Sequence, residues 1–172
     1  ECTKEIDGKF AERIEIYYNL YNSLFYKPST KYSFRMENEG NYAEPRISYR
    51  SYDSFGNPQH IVKDETDDIT YLWSYGGQYP IAEIYNASYQ EVKSALSYND
   101  TQISGLASSN APDVTSIGTL LRKNLPNAHV TTYTYQPLVG ITSVTTPNGS
   151  TTTYEYDSYG RLSKVKDCDG KG

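Results

Sequence analysis

The chain reads as a mainly β protein, α+β in class: antiparallel β-hairpin repeats forming a twisted sheet, with a helical insert of two or three short helices. Three observations predict this. Tyr, Thr, Val and Ile alternate with polar residues over much of the length, as they do on half-buried strands. A five-residue block occurs twice, as Tyr52-Asp53-Ser54-Phe55-Gly56 and Tyr156-Asp157-Ser158-Tyr159-Gly160, and self-similarity of this kind marks a repeat architecture. Tyr135, Ile141, Val144 and Asn148-Gly149 stand 21 positions before Tyr156, Leu162, Val165 and Asp169-Gly170, which sets the period. The stretch 86–129 carries helix caps and helical spacing instead.

The first elements are strands. Ile14, Ile16, Tyr18 and Leu20 alternate with Arg13, Glu15, Tyr17 and Asn19, the pattern of a half-buried strand, and Lys27-Pro28-Ser29-Thr30 is expected to turn the chain. Tyr32, Phe34 and Met36 give a second strand, and 37–45 is expected to be a polar loop. From Ile47 a Tyr-rich strand runs to Tyr52, Asp53 to Gly56 turns, and a return strand passes through Ile61 and Val62. Asp at the first and Gly at the fourth position suit a type I turn, the carboxylate accepting backbone N–H groups and Gly taking positive φ. Tyr71, Trp73 and Tyr75 fall on one strand face, Gly76-Gly77 turns the chain, and Tyr79 to Tyr85 returns.

The middle changes period. Ser88 followed by Glu91 is a capping box, and Tyr89, Val92 and Leu96 recur at helical spacing, predicting a helix over 89–97. A short helical turn is expected around Ile103 to Leu106. Another helix is expected from Pro112, in its first turn, with Val114, Ile117, Leu120 and Leu121 on one side and Pro126 as its stop. After Val130 the strands resume. Asn148-Gly149 and Asp169-Gly170 are tight-hairpin signals in which both residues can take positive φ. Ile141 and Val144, like Leu162 and Val165, stand three apart, so a bulge or a sheet covered on both faces is required.

Composition bounds the rest. At 172 residues the chain is one domain's worth, 37% hydrophobic and 14% aromatic, with 19 tyrosines expected to carry much of the burial. A net charge of −5, without a Lys/Arg-rich run, argues against nucleic acid as a partner. No run approaches the ~18 apolar residues of a membrane span, and a soluble piece excised or processed from a longer protein is expected. Cys2 and Cys168 lie at opposite ends; pairing them would need the termini to meet, and alone they cannot form a zinc site.

The blocks Tyr133-Thr134-Tyr135 to Gly149 and Tyr154-Glu155-Tyr156-Asp157-Ser158-Tyr159-Gly160-Arg161-Leu162 resemble consecutive repeats of the YD-repeat, or rearrangement-hot-spot (Rhs), family of large secreted and cell-surface bacterial proteins. Gly77 to Ile84 and Leu138-Val139-Gly140 also resemble segments of Bacteroides-like members. The resemblance implies hairpins that add strands to a neighbour and, in larger members, a sheet spiralling into a shell around a toxin or enzyme. Three departures stand out: about three repeats, Val139 in place of the middle turn glycine, and no Asp-Pro-x-Gly self-cleavage signature. On this reading 1–46 holds N-terminal strands, 47–85 and 130–172 hold YD hairpins, and 86–129 is the insert of a single domain.

The repeat motif residues are Tyr52, Asp53, Gly56, Tyr135, Tyr156, Asp157 and Gly160. Tyr71, Trp73 and Tyr75 form a candidate sugar-stacking platform, weighed against a core stripe. Asp64, Glu65, Asp67 and Asp68 could offer oxygens to a cation but read as a solvated turn, and no cofactor or metal is expected. His60 and His129 stand outside any nucleophile-base motif, and no enzyme is expected. The expected role is a non-catalytic structural segment, secreted or at the cell surface by the resemblance, holding neighbouring repeats or a fused partner or toxin domain. The alternative is a carbohydrate-binding module for a cell-surface glycan. Cut repeat ends would expose strand edges and favour an edge-paired homodimer.

Overall fold

The computed structural model describes residues 2–6, 9–21, 25–37 and 40–168, with side chains described over 13–21, 26–34 and 43–168. Among the described residues the chain is mainly β: one eleven-stranded sheet whose strand order is the chain order, every neighbour antiparallel. The strands are β1 (Cys2–Ile6), β2 (Lys9–Tyr21), β3 (Phe25–Glu37), β4 (Gly40–Tyr52), β5 (Pro58–Lys63), β6 (Asp67–Ser74), β7 (Tyr79–Tyr85), β8 (His129–Gln136), β9 (Gly140–Thr145), β10 (Thr151–Tyr156) and β11 (Leu162–Lys166). Between β7 and β8 lie α1 (Tyr89–Leu96), α2 (Asp100–Ser108) and α3 (Val114–Asn124). Cys2 belongs to one edge strand and Cys168 follows the other.

The irregularity read in the sequence is a bulge, and it recurs. In β8–β9, Thr134 faces Ser143 and Tyr135 faces Ile141, leaving Thr142 as the extra residue. In β10–β11, Glu155 faces Lys164 and Tyr156 faces Leu162, leaving Ser163. Tyr133 also faces Val144 as Tyr154 faces Val165, so the 21-residue period is a period of register. The same bulge occupies Ser29 in β2–β3, Gln59 in β4–β5 and Ile81 in β6–β7. Each sits on the return strand near the turn, where it bends that strand and strengthens its twist.

These bulges overturn two expected loops. Lys27-Pro28-Ser29-Thr30 lies inside β3, and Gly40 to Pro45 lies inside β4. Proline cannot donate to a ladder and is tolerated in strands where pairing is already broken. Pro28, Pro45 and Pro80 each stand at a register shift, and Pro58 opens β5.

The insert does not merely interrupt the repeats, because it covers one face of β6–β8 and supplies half the core. Two cross-strand rows, Thr70–Ile84–Val130 and Leu72–Ala82–Thr132, face the helices. Val92, Ala95 and Leu96 of α1, Ile103 of α2, and Val114, Ile117 and Leu121 of α3 close over them. The Ile81 bulge lets adjacent Ile81 and Ala82 both be fully buried. Each fully buried Val, Leu or Ile side chain among these contributes about 1.5–3 kcal/mol. Buried hydroxyls tie the layers together: Thr70 donates to Ala87 O at 2.8 Å and Ser74 to Leu106 O at 2.8 Å.

Of the three helices, α1 starts on the signal read in the sequence. Ser88 and Glu91 form the expected capping box, and Asn99 with Gln102 forms a second one that lengthens the expected short turn into α2. Pro112 precedes the N-cap Asp113 rather than occupying the first turn, and Leu120 is exposed. Among the described residues the fully buried core is aliphatic, and Tyr75, Tyr89, Tyr98 and Tyr135 pack against it partly buried. Of the β2 stripe Ile14 is half buried, whereas Ile16, Tyr18 and Leu20 are exposed, the last two at 55%, and among the described residues no helix covers this end of the sheet.

Candidate functional site: the interlocked hairpin ends

The repeat turn is built from its aspartate. The buried Asp53 carboxylate accepts from Phe55 N at 2.9 Å, Asn57 N at 2.7 Å and Asn57 Nδ2 at 3.1 Å, while Gly56 N donates to Asp53 O at 3.0 Å. Asp157 repeats the arrangement with Tyr159 N at 2.8 Å, Arg161 N at 3.0 Å and the Arg161 guanidinium at 2.8 Å. The Arg161 backbone N–H, then its guanidinium, holds the Asp157 carboxyl below its ordinary range. Gly56 and Gly160 take φ of 85° and 73°, the left-handed conformation that glycine adopts freely.

The Thr146–Ser150 turn adopts the same backbone bonds, with Gly149 at φ 87° and Asn148 outside the left-handed region. The expectation that both turn residues take positive φ therefore fails there, because one left-handed residue closes this longer loop. Asp169-Gly170 lies outside the described residues. Where Val139 replaces the turn glycine, Leu138 takes the left-handed conformation instead, at φ 65°.

In five hairpins an aromatic residue pairs with the residue just before the bulge: Tyr18 with Pro28, Tyr52 with Pro58, Trp73 with Pro80, Tyr135 with Ile141 and Tyr156 with Leu162. Each later aromatic reaches back to the carbonyl of the preceding pair. Tyr52 donates to Pro28 O, Trp73 Nε1 to Pro58 O at 2.8 Å, Tyr135 to Pro80 O at 2.8 Å and Tyr156 to Ile141 O at 2.9 Å. The bulge, and at Pro28, Pro58 and Pro80 the proline, interrupts the ladder beside that carbonyl, and the next aromatic donates to it. Gly140 completes the fit, since a Cβ there would stand 2.4 Å from the Tyr156 hydroxyl.

Residues 139–171 match the RHS Repeat family. The matched RHS repeat spans β9 to β11 and contains both ends of the Tyr156–Ile141 bond and the Asp157 turn. Two solved structures share the fold of nearly the whole chain. One, of TcdB2-TccC3-Cdc42, is 12% identical with a TM-score of 0.51 and aligns over 96% of this chain and 8% of that one. The other, of TcdB2-TccC3 without its hypervariable C-terminal region, is 13% identical with a TM-score of 0.51 over 98% and 9%. This chain thus spans less than a tenth of either. No curated protein matches.

Outside the RHS repeat the structure redistributes the aromatic platform. Trp73 is the aromatic of its own hairpin end, 21 positions after Tyr52, and that spacing is the sequence signal for its role. Tyr71 lies beside it, ring centroids 6.4 Å apart. Tyr75 has left β6: its φ is 55°, and its ring packs edge-on to Tyr79 and Tyr135 at 5.7 and 6.1 Å, so the three do not form one stripe. On the face away from the helices, Glu83 accepts from Tyr71 at 3.0 Å and Tyr133 at 3.3 Å. Burial, then the Glu83 charge, pushes the Tyr71 phenol well up and the Tyr133 phenol up to about 12. Sequence reasoning missed Glu83, a lone charge inside the apolar run 79–85.

The remaining candidates part company. His60 Nε2 meets Asp68 Oδ1 at 2.5 Å, while His129 is exposed at the start of β8. Asp64 pairs with Arg46 at 3.2 Å and Asp67 accepts from Thr66 at 2.9 Å, so the acidic turn disperses to separate partners. Among the described residues no three His, Cys, Asp or Glu side chains converge on one point, and no helix is long and apolar enough to cross a membrane.

Proposed function

We propose that the chain is a non-catalytic wall segment of a secreted or surface-displayed YD-repeat protein, whose hairpins carry a fused partner or toxin domain. The observation that supports it is the backward bond of each hairpin aromatic onto the preceding hairpin. Such a unit gains its full set of bonds only beside another of its kind, which is what an extended wall requires. Asp53 and Asp157, recurring in equivalent turns, are engaged by backbone N–H groups, which favours structure over a unique reactive centre. The Bacteroides-like type rests on 77–84 and 138–140 alone.

Intact-mass and denaturing-gel analysis of the complete parent polypeptide tests this. A discrete C-terminal fragment, released yet retained under native conditions, is expected for a wall around cargo. A single uncut chain directs the reading to a surface scaffold. A hydrolytic or transfer activity abolished by His60→Ala would overturn the non-catalytic reading.

The second reading, carbohydrate binding, is favoured by a different place from Trp73, whose indole N–H is already engaged. An open groove of about 570 Å³ on β2–β4 is lined by Tyr17, Tyr32, Phe34 and Asn19. Tyr17 and Tyr32 stand 5.4 Å apart, edge to face. Two rings beside an amide suit the apolar face and hydroxyls of a pyranose. Quenching of tyrosine fluorescence by polysaccharides, lost in Tyr17→Ala with Tyr32→Ala, is the expected signature.

A further inference from the structure

Arg122 occupies a place where a cation is costly. It leaves the sheet-facing side of α3 one turn after Gly118, and a Cβ at Gly118 would lie 2.6 Å from Arg122 Nη1 and 3.1 Å from Thr132 Cγ2. Glycine inside a helix costs about 1 kcal/mol relative to alanine, and here its missing side chain is the passage for the guanidinium. Nη2 donates to Val130 O and Thr145 O, each at 3.0 Å, and to Thr132 Oγ1 at 3.3 Å.

The rest of the guanidinium is unanswered. Among the described residues, Nε is buried without an acceptor, no bond from Nη1 is formed, and no carboxylate lies within 4.0 Å. Burial lowers the Arg122 pKa from its ordinary value. A bond from a buried donor to a charged acceptor is worth more than one to a neutral oxygen, so this group is poised for an anion.

The space beside it fits one. A cavity of about 410 Å³ between α3 and β8–β10 is lined by Arg122 with Thr134, Ser143, Thr145 and Thr151. Thr134 and Ser143 hydroxyls lie 2.6 Å apart, and those of Thr145 and Thr151 2.8 Å apart. Hydroxyls can turn their protons outward to an acceptor. We propose that this cavity binds a compact oxyanionic group, with Arg122 supplying the charge and the Ser/Thr row the neutral donors. The ligand class is a small sulfate-, phosphate- or carboxylate-bearing molecule. The site is independent of the scaffold reading and lies outside the aromatic ends.

Sodium sulfate, sodium phosphate and sodium glucuronate are titrated separately into the 172-residue chain, with ionic strength held by sodium chloride. The Arg122 Nε–H resonance is followed by NMR, and the unfolding temperature in parallel. A saturable shift of that resonance, with a saturable rise in Tm, is expected. Response to sulfate and phosphate alone assigns a tetrahedral anion, response to glucuronate alone a carboxylate, and either supports the site. Arg122→Gln is expected to weaken binding at least about tenfold. Ser143→Ala keeps the three Nη2 bonds and weakens binding less, which serves if Arg122→Gln does not fold. A resonance unmoved by all three probes overturns the proposal and leaves Arg122 as a clamp between α3 and the sheet.

Discussion

The Tyr135 hydroxyl donates to the carbonyl of Pro80, 55 residues earlier and across the whole helical insert, at 2.8 Å. The same bond joins Tyr156 to Ile141 over 15 residues with no insert between. The chain thus keeps its repeat geometry across a stretch where its sequence has left the repeat. β7 and β8 pair directly, Ala82 with Thr132 and Ile84 with Val130, so the insert departs from and returns to one edge.

Removing the hydroxyl from this bond is expected to cost about 1 kcal/mol, the net worth of one internal hydrogen bond. Tyr135→Phe and Tyr52→Phe should each lower the urea midpoint without changing the slope, and their double variant should be additive because the two hydroxyls serve separate hairpins. Trp73→Phe removes the indole N–H and also packing volume, so its loss should exceed theirs.

Alkaline titration carries a sign. Burial pushes the Tyr52, Tyr133 and Tyr135 phenols up to about 12, from 10.0. A raised folded value means the neutral phenol is favoured in the fold, so this stability is complete below pH 10 and is lost as pH rises toward about 12. Absorbance near 295 nm should show one group of tyrosines titrating in the ordinary range and a second only with unfolding. Tyr133→Phe should diminish the late group.

The two turn aspartates separate by burial. Asp53→Ala removes the acceptor of Phe55 N and Asn57 N, leaves the Asn57 amide only its bond to Gly77 O, and is expected to cost about 1–3 kcal/mol by chemical denaturation. Asp157→Ala, at an exposed turn, should cost less. Because hydrogen bonds from Arg161 lower the Asp157 pKa, its contribution is present above the unfolded carboxyl value and lost as pH falls through the folded one.

Three glycines give opposite signs. Gly77→Ala places a Cβ 2.5 Å from the Phe55 ring at a φ of 73°, and Gly140→Ala drives one into the Tyr156 hydroxyl. Both should destabilise, by roughly 1–3 kcal/mol. Gly105→Ala in α2 meets nothing within 4 Å and should stabilise by about 0.5–1 kcal/mol. Thermal unfolding of the three variants checks the ranking.

What the sequence determined was local. Capping by Ser88 with Glu91, the Asp53 and Asp157 turns and the bulges implied by Ile141 and Val144 all depend on residues within one turn or one hairpin, so spacing alone exposes them. The backward bonds were hidden because the acceptors Pro28, Pro58, Pro80 and Ile141 are backbone carbonyls, which no side-chain pattern marks. Pro28 and Pro45 misled for the related reason that proline signals a turn unless a neighbouring strand supplies a bulge to receive it. Tertiary structure also decided which apolar face was covered: β2 and β6 both alternate, but only β6 lies under the helices, because burial requires a second layer that the strand's own pattern cannot provide.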